Sequence, residues 1–132
     1  MKIHLTSVFV DDQDKALHFY TEVLGFVLKQ NFPAGQHQWL TVVSPEEPNG
    51  TQLLLEPSDN PAAQTFKHAI FEQGIPATSF FVEDIHSEYA KLSRLGVVFT
   101  MGPTARGPAT IAVFDDTCGN LIQITQVCAH CL

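Results

Sequence analysis

The fold is decided by a short stretch that occurs twice in the chain. Residues 7–12 read Ser-Val-Phe-Val-Asp-Asp, and residues 79–84 read Ser-Phe-Phe-Val-Glu-Asp. Each copy precedes a helical pattern that ends at a Leu-Gly pair, Leu24-Gly25 in the first copy and Leu95-Gly96 in the second. The offset between copies is 72 residues at the strands and 71 at the Leu-Gly pairs, so the second helix is one residue shorter. We therefore predict two copies of one module.

Both copies begin with the same arrangement of a strand and a capped helix. Asp11 or Asp12 is predicted to cap the first helix and Asp84 the second, because a carboxylate can accept from the free N–H groups of a first helical turn. The glycine of each Leu-Gly pair supplies the helix stop. After each helix, β-rich runs separated by Gly, Pro and Asn predict three more strands, so each module reads βαβββ.

These patterns divide the chain into consecutive segments of a single domain over residues 1–132. A helix in the linker is predicted to turn Phe66 toward the core, and turns are predicted at residues 33–35 and 102–103. The segments are a first βαβββ module over residues 1–57, a linker helix within 58–75, a second βαβββ module over 76–127 and a tail over 128–132.

The composition is that of a folded domain and excludes some classes of partner. Hydrophobic residues make up 45% of the 132 residues, and 14 acidic against 7 basic residues give a net charge of −7. Such a surface is unsuited to a phosphate backbone, so nucleic-acid binding is not expected. Neither a signal peptide nor an apolar run of membrane-spanning length is evident, which predicts a cytoplasmic protein with no membrane partner. Its cysteines (Cys118, Cys128 and Cys131) are therefore expected to be reduced.

A βαβββ unit is a four-stranded sheet with a helix on one face only. The other face needs cover, because a large exposed apolar patch is costly. We therefore predict an α+β fold in which two such sheets curl together into a half-open cup with the helices outside. Strand alternation predicts which positions face the cup. They are Leu5, Ser7 and Phe9 on the first strand, Ala77, Ser79 and Phe81 on its counterpart, and Leu121, Gln123 and Thr125 on the last strand.

Two further motifs carry a resemblance to a known family. Residues 19–26 read Phe-Tyr-Thr-Glu-Val-Leu-Gly-Phe, and residues 116–124 read Asp-Thr-Cys-Gly-Asn-Leu-Ile-Gln-Ile. With the repeated stretch, they make residues 2–127 resemble the vicinal oxygen chelate, or glyoxalase/bleomycin resistance/dioxygenase, superfamily. The resemblance implies the cup fold, a small organic ligand and a homodimer. It does not fix a reaction, because this fold serves lyases, epimerases, dioxygenases, thiol transferases and drug-sequestering proteins.

The resemblance also identifies where metal-dependent members hold a divalent ion. The four positions correspond to Leu5, Ala77, a residue of the strand 52–56, and Gln123. Leu5 and Ala77 carry no donor atom, so the sequence predicts neither the usual metal nor any other cofactor. A divalent ion bound in some other way would use His4, Glu56 and Gln123.

The remaining candidate residues belong to a pocket for an organic molecule. Phe9 and Phe81 provide apolar walls, and Trp39 offers a ring for stacking. Arg106, in a hairpin, could pair with an anionic substrate. Glu56 is the candidate general base, on a strand whose register the sequence leaves open. The full set of predicted ligand-binding residues is Ser7, Phe9, Trp39, Ser79, Phe81, Arg106 and Gln123.

Three functions are compatible with these observations. The first is binding of a small drug or metabolite without the usual metal, which the apolar ligand positions favour. The second is a glyoxalase-like lyase or dioxygenase-like enzyme with non-standard ligands or with Glu56 as its base. The third is a ligand-sensing domain that interacts with a partner protein. The sequence favours the first.

Overall fold

The computed structural model describes residues 1–128. Over this range the strands form two four-stranded sheets. The chain divides into two compact units, Met1–Lys67 and His68–Leu132, with one sheet in each. In each sheet the first and last strands of the unit pair in parallel, and the other pairs are antiparallel. The predicted α+β class with a repeated βαβββ order is confirmed.

The first unit contains the elements of the first copy. Its sheet has the strand order β1-β4-β3-β2. The elements are β1 (Leu5–Val10), α1 (Gln13–His18) continuing as a π-helical turn (Phe19–Val23), β2 (Val27–Ala34), β3 (His37–Val43) and β4 (Gln52–Pro57).

The second unit repeats this order with its own sheet, β5-β8-β7-β6. Helix α2 (Pro61–Glu72) begins in the first unit and ends in the second. The elements that follow are β5 (Thr78–Phe81), α3 (Ile85–Arg94), β6 (Phe99–Arg106), β7 (Ala109–Asp115) and β8 (Leu121–Val127).

The two repeated helices begin and end with the same devices. The side chain of Asp12 accepts a hydrogen bond from the backbone N–H of Lys15 at 3.0 Å, and that of Asp84 accepts from Ser87 at 3.1 Å. At the other end, Gly25 has φ 89° and Gly96 has φ 90°. A residue with a Cβ adopts this left-handed conformation only at a cost, which is why glycine follows both helices.

The π-helical turn accounts for the one-residue difference between the copies. The backbone N–H of Leu24 donates to the carbonyl of Phe19, five residues earlier, at 3.0 Å. An α-helix bonds four residues back, so this turn holds one extra residue without displacing the cap at either end. The corresponding helix α3 connects the same two devices, the aspartate cap and the glycine stop, with one residue fewer and without a π-helical turn.

In each unit the helix-side face of the sheet forms the apolar core. Val8 and Val10 of β1 are buried with Tyr20 in the first unit, and Ile122 of β8 is buried with Ile85 in the second. Burying a side chain of this size stabilises a fold by roughly 1.5–3 kcal/mol. Because strand residues alternate, the next positions along each strand lie on the opposite face.

Several local expectations are wrong. Pro33 and Ala34 lie within β2 rather than in a turn. Gly102-Pro103 lies inside β6, where the pairing with β7 shifts register between Met101 and Thr104 instead of ending. A bulge accommodates a proline that cannot donate to the ladder.

The expectations for Phe66 and for one cysteine also need correction. Phe66 is 58% exposed, and α2 instead buries Ala63 and Lys67. Cys118 is a buried free thiol, as expected, but Cys128 is disulfide-bonded rather than reduced. Of the predicted tail over residues 128–132, residues 129–132 lie outside the described part of the chain. No helix among the described residues is long and apolar enough to cross a membrane.

Candidate functional site

The second unit contains a cavity of about 480 Å³ on the face of its sheet that is turned away from α3. The sheet supplies the floor of the cavity, and the end of α2 with the segment after it supplies one wall. Most of the lining is apolar, and the described lining residues include no acidic side chain. The lining consists of Phe71, Gly74, Pro76, Thr100, Met101, Arg106, Ile111, Val113, Leu121 and Gln123.

Strand register explains why these residues meet. Gln123 of β8 pairs with Val113 of β7, which in turn pairs with Met101 of β6. Directly paired residues place their side chains on one face of a sheet, so these three form a row across the floor. Ile111 occupies the same face two residues further along β7. The intervening residues face the helix side and belong to the core.

Gln123 supplies a hydrogen-bonding group at the β8 end of this row. Its amide nitrogen lies 3.1 Å from the hydroxyl of Thr125 and 3.5 Å from that of Ser79, and these two hydroxyls are 2.8 Å apart. Both contacts use the amide as a donor, which fixes its orientation and leaves the carbonyl oxygen as an acceptor. The pairing of Ser79 with Gln123 and of Phe81 with Thr125 positions this polar cluster.

Arg106 supplies the positive charge of the lining. It ends β6 opposite Ala109, and its side chain folds back along the strand so that one guanidinium nitrogen lies 4.0 Å from the sulfur of Met101. Another guanidinium nitrogen donates to the carbonyl of Ala105 at 3.2 Å. Within residues 1–128, no carboxylate oxygen forms an ion pair with Arg106. Its charge is therefore available to a bound anion.

A buried turn holds β8 in place beneath the cavity. The carboxylate of Asp116, which is fully buried, accepts hydrogen bonds from the backbone N–H groups of Cys118 at 2.7 Å and Asn120 at 3.0 Å, and from the Asn120 side chain at 2.8 Å. Thr117 and Gly119 adopt positive φ within this turn. The Asp-x-x-Gly-Asn motif is thus structural, and it fixes the start of the strand that bears Gln123.

The first unit presents a different surface on the corresponding face of its sheet. Glu56 pairs with Phe9, so the register of β4 places the carboxylate on the same face as Ser7 and Phe9. Trp39 donates to the side-chain carbonyl of Gln30 at 2.9 Å, and its ring stacks on Phe32 with centroids 6.3 Å apart. These contacts tie side chains to one another along the sheet.

The cavity brings together two of the seven predicted ligand-binding residues, Arg106 and Gln123. Ser79 lies one hydrogen bond away from the lining, and Phe81 is 61% exposed. Ser7, Phe9 and Trp39 belong to the first unit, and their involvement in binding stays a prediction, as does that of the candidate base Glu56.

Sequence reasoning missed four residues of the cavity floor, Thr100, Met101, Ile111 and Val113. Alternation on β7 would have placed Ile111 and Val113 on the face of Gln123 once the pairing of β7 with β8 was known. Met101 is the last residue of a strand predicted over residues 97–101, but its place in the floor depends on its pairing with Val113, which lies between two register shifts. Gly74 and Pro76, which follow α2, show no sequence pattern that predicts a place in the cavity lining.

The residues at the four metal positions do not fit the divalent ion of metal-dependent relatives. Leu5 and Ala77 have no donor atom, and Gln123 offers a single carbonyl oxygen because its amide nitrogen donates to Ser79 and Thr125. Across residues 1–128, no group of three His, Cys, Asp or Glu side chains is arranged to hold a metal. His4 precedes β1 and alternates onto the face opposite Glu56, so these two candidates are not brought together.

Comparison with known proteins decides the family. The model of the Glyoxalase/Bleomycin resistance protein/Dioxygenase superfamily matches residues 2–124. The chain belongs to this superfamily. It is 58% identical over 126 residues to the uncharacterized protein YurT of Bacillus subtilis (strain 168), covering 96% of this chain and 99% of that one.

Two further proteins are similar to this chain at lower identity. The crystal structure of TnmS3, an antibiotic binding protein from Streptomyces sp. CB03234, superposes with a TM-score of 0.75 at 27% identity, covering 97% of each chain. A probable lactoylglutathione lyase of Synechocystis sp. (strain ATCC 27184 / PCC 6803 / Kazusa) is 30% identical over 125 residues, covering 92% of each chain. The proteins to which this chain is similar thus include one described as antibiotic binding and one described as a probable lyase.

Proposed function

We propose that this protein binds a small, largely apolar organic molecule in the cavity of its second unit, without the divalent ion of metal-dependent relatives. The observation that carries this proposal is the cavity itself, whose apolar floor is interrupted by one oriented amide, that of Gln123. Its volume of about 480 Å³ lies within the range that holds drug-sized ligands. The similarity to an antibiotic binding protein supports the same class of ligand.

The donor set supports binding without a metal. A hard divalent ion in a protein takes several oxygen or imidazole ligands, and binding weakens steeply as ligands are removed. At the family's positions, Gln123 offers one amide oxygen, and Leu5 and Ala77 have no donor atom. Recognition would then rest on shape, apolar contact and a few polar groups.

Thermal unfolding tests the proposal, because a ligand that binds only the folded state raises the melting temperature by mass action. We expect chelator-treated protein to be stabilised by members of a panel of polycyclic aromatic antibiotics and not by nickel, zinc, iron(II) or manganese. Metal analysis of untreated protein is expected to find no stoichiometric ion. Stabilisation by one of these ions at one per chain, with none by the organic panel, would overturn the proposal.

A substitution in the lining locates the binding. Thr100→Phe places a large side chain at an exposed position of the lining and should abolish the shift caused by an organic ligand. Ala105→Phe adds the same side chain at an exposed position of the same strand outside the lining and serves as the matched control. An equal loss in both variants would contradict the proposed location.

An enzymatic function is the alternative, and the similarity to a probable lactoylglutathione lyase favours it. Glu56, half-buried on the face of Phe9, is the residue that would serve as base. We expect no lactoylglutathione lyase activity with or without added divalent metal. Activity that appears with a metal and disappears in Glu56→Gln would replace the binding proposal with the enzymatic one.

We further propose that the protein is cytoplasmic and forms a homodimer. The first is an expectation that cell fractionation tests, and recovery of the protein outside the cytoplasmic fraction would refute it. The homodimer rests on the resemblance to the superfamily, which implies pairing of two chains. Light scattering after size exclusion, at several concentrations, is expected to give the mass of two chains, and the mass of one chain throughout would refute the dimer.

A further inference from the structure

We infer that the ligand of the second unit's cavity carries a negatively charged group, held by Arg106, at one end of an aromatic or otherwise apolar body. This inference rests on the proposed function and specifies the chemical class of the ligand. A carboxylate, a sulfonate or an acidic phenolate would each supply the charge. Selection of an anion by this chain is unexpected from its composition, because the net charge of −7 repels anions at long range.

The first observation is the placement of the guanidinium. The Arg106 side chain lies along β6 and reaches the sulfur of Met101, which belongs to the row that continues through Val113 to Gln123. The exposed guanidinium therefore lies at the edge of the apolar floor, where it remains in contact with solvent and is part of the cavity lining. A guanidinium held against apolar groups keeps several N–H donors for a planar anion.

The second observation is the absence of a competing anion. The protein has 14 acidic residues, yet none of them lines the cavity or forms an ion pair with Arg106 in the part of the chain that the structure describes. Two lysines differ from Arg106 in this respect, because their ammonium groups contact side-chain or carbonyl oxygens of the protein. Lys67 pairs with Asp11, and Lys29 donates to the carbonyl of Pro48 and the side chain of Asn49.

The third observation sets the length of the ligand. Strands β6 and β8 flank β7, so their axes are about 10 Å apart. The guanidinium of Arg106 and the amide of Gln123 lie on this same row, at the β6 and β8 ends. A molecule of one or two rings fills the interval, with an acid at the β6 end and a hydrogen-bond donor that reaches the Gln123 carbonyl at the β8 end.

A matched pair of compounds isolates the charge. 6-Hydroxy-2-naphthoate and its carboxamide, 6-hydroxy-2-naphthamide, have the same rings and hydroxyl and differ in the charge at one end. We expect isothermal titration calorimetry at low salt to show that the carboxylate binds about tenfold more tightly than the amide, the effect of one charge-assisted hydrogen-bonded pair. High salt should narrow this difference.

Variants of the two arginines assign the preference to one residue. Arg106→Gln should bring the two affinities within about twofold of each other, mainly by weakening binding of the carboxylate, since the charge-assisted pair forms with the anion. Arg106→Lys keeps the charge without the planar fork and should retain part of the preference. Arg94, exposed on α3 and outside the lining, is the other arginine of the chain, so Arg94→Gln is a control with the same change in net charge.

The outcomes separate this inference from the proposed function. Equal affinities of both compounds for the wild-type protein would overturn the inference and leave the proposed function standing. A preference that survives in Arg106→Gln, or that Arg94→Gln removes equally, would also overturn it. If neither compound binds, or if both still bind to Thr100→Phe, the proposed cavity is not the binding site and the proposed function fails with the inference.

Discussion

The two repeats of this chain share their framework and differ in the side chains on the sheet face that is turned away from the helix. Both begin with a parallel strand pair, cap a helix with an aspartate and end it at a glycine of positive φ. On that face, polar side chains of the first repeat are hydrogen-bonded to one another in pairs, such as Thr41 to Gln52 at 2.8 Å. The second repeat surrounds a cavity. Repetition thus fixes the scaffold, and divergence of the later strands creates the site.

The largest expected effect concerns the helices, where the first repeat holds one residue more. Deleting Glu22, an exposed residue of the π-helical turn, should convert it to α-helix and cost about 1 kcal/mol or less, since both caps and the preceding core residues keep their register. Deleting Ala90 from α3, which has no residue to spare, rotates the following turn by about 100° and displaces the buried Leu92, at a cost of at least about 3 kcal/mol.

Urea unfolding of the two deletion variants measures this difference. The ordering is the informative result, because both deletions remove one exposed helical residue. Equal destabilisation would show that the π-helical turn is required for packing in the first repeat and is not an accommodated insertion.

The turns before the last strands provide the second contrast. Asp116→Ala removes a fully buried carboxylate and leaves three N–H donors of Cys118 and Asn120 without it, which should cost roughly 3 kcal/mol. Glu46→Ala, in the corresponding turn of the first repeat, removes an exposed side chain and should change the stability by less than about 0.5 kcal/mol. Chemical denaturation gives both values, and a small effect of Asp116→Ala would remove our account of how β8 is positioned.

The glutamines of the last strands provide the third contrast. Gln123 and Gln52 both lie on the face of the last strand that is turned away from the helix, but Gln52 pairs with Leu5 and Gln123 with Ser79, two positions further along. Gln52 uses its carbonyl to accept from Thr41, whereas Gln123 uses its amide nitrogen and keeps the carbonyl for a ligand. Gln123→Ala should weaken binding of 6-hydroxy-2-naphthoate about tenfold, the effect of one hydrogen bond, and Gln52→Ala less than about twofold. Isothermal titration calorimetry measures the affinity of both variants for this compound. A stronger effect of Gln52→Ala would show that the binding site lies in the first unit.

The smallest expected effect tests how alike the two repeats are. Asp12→Ala and Asp84→Ala each remove an N-cap of nearly the same geometry, so each should cost about 1 kcal/mol. Thermal unfolding of the two single variants and the double variant checks this. Costs that differ by more than about 1 kcal/mol would show that the caps are not equivalent, since N-cap losses of one type normally agree within that range.

The framework could be predicted from the sequence because its signals are local. The aspartate before each helix and the glycine after it depend on a few neighbouring residues, and the offset of one residue between Asp12–Gly25 and Asp84–Gly96 already indicated the extra residue in the first helix. The π-helical turn is the form in which the chain holds it. The faces of β1, β5 and β8 followed from alternation in the same way.

The cavity could be predicted only in part, because it depends on pairing between distant strands. Gln123 followed from alternation along β8, whereas Met101 and Val113 needed the register of β6 on β7 and β7 on β8. A bulge in β6 hid that register, since Gly102-Pro103 has the local signature of a turn but lies within a strand that continues to Arg106. The same limit left the face of Glu56 open until the pairing of β4 with β1 was known.

The most direct test of the account is to follow Met101 by NMR while metal-free protein binds an organic ligand. The chain has two methionines, Met1 and Met101, and only Met101 lines the cavity, so carbon-13 labelling of methionine methyl groups gives one reporter and one internal control. We predict that 6-hydroxy-2-naphthoate shifts the Met101 resonance of chelator-treated protein in a saturable way and leaves that of Met1 in place. If the Met101 resonance shifts only after a divalent ion is added, or if saturable binding leaves it unchanged, the ligand does not bind in this cavity without a metal and the proposal is contradicted.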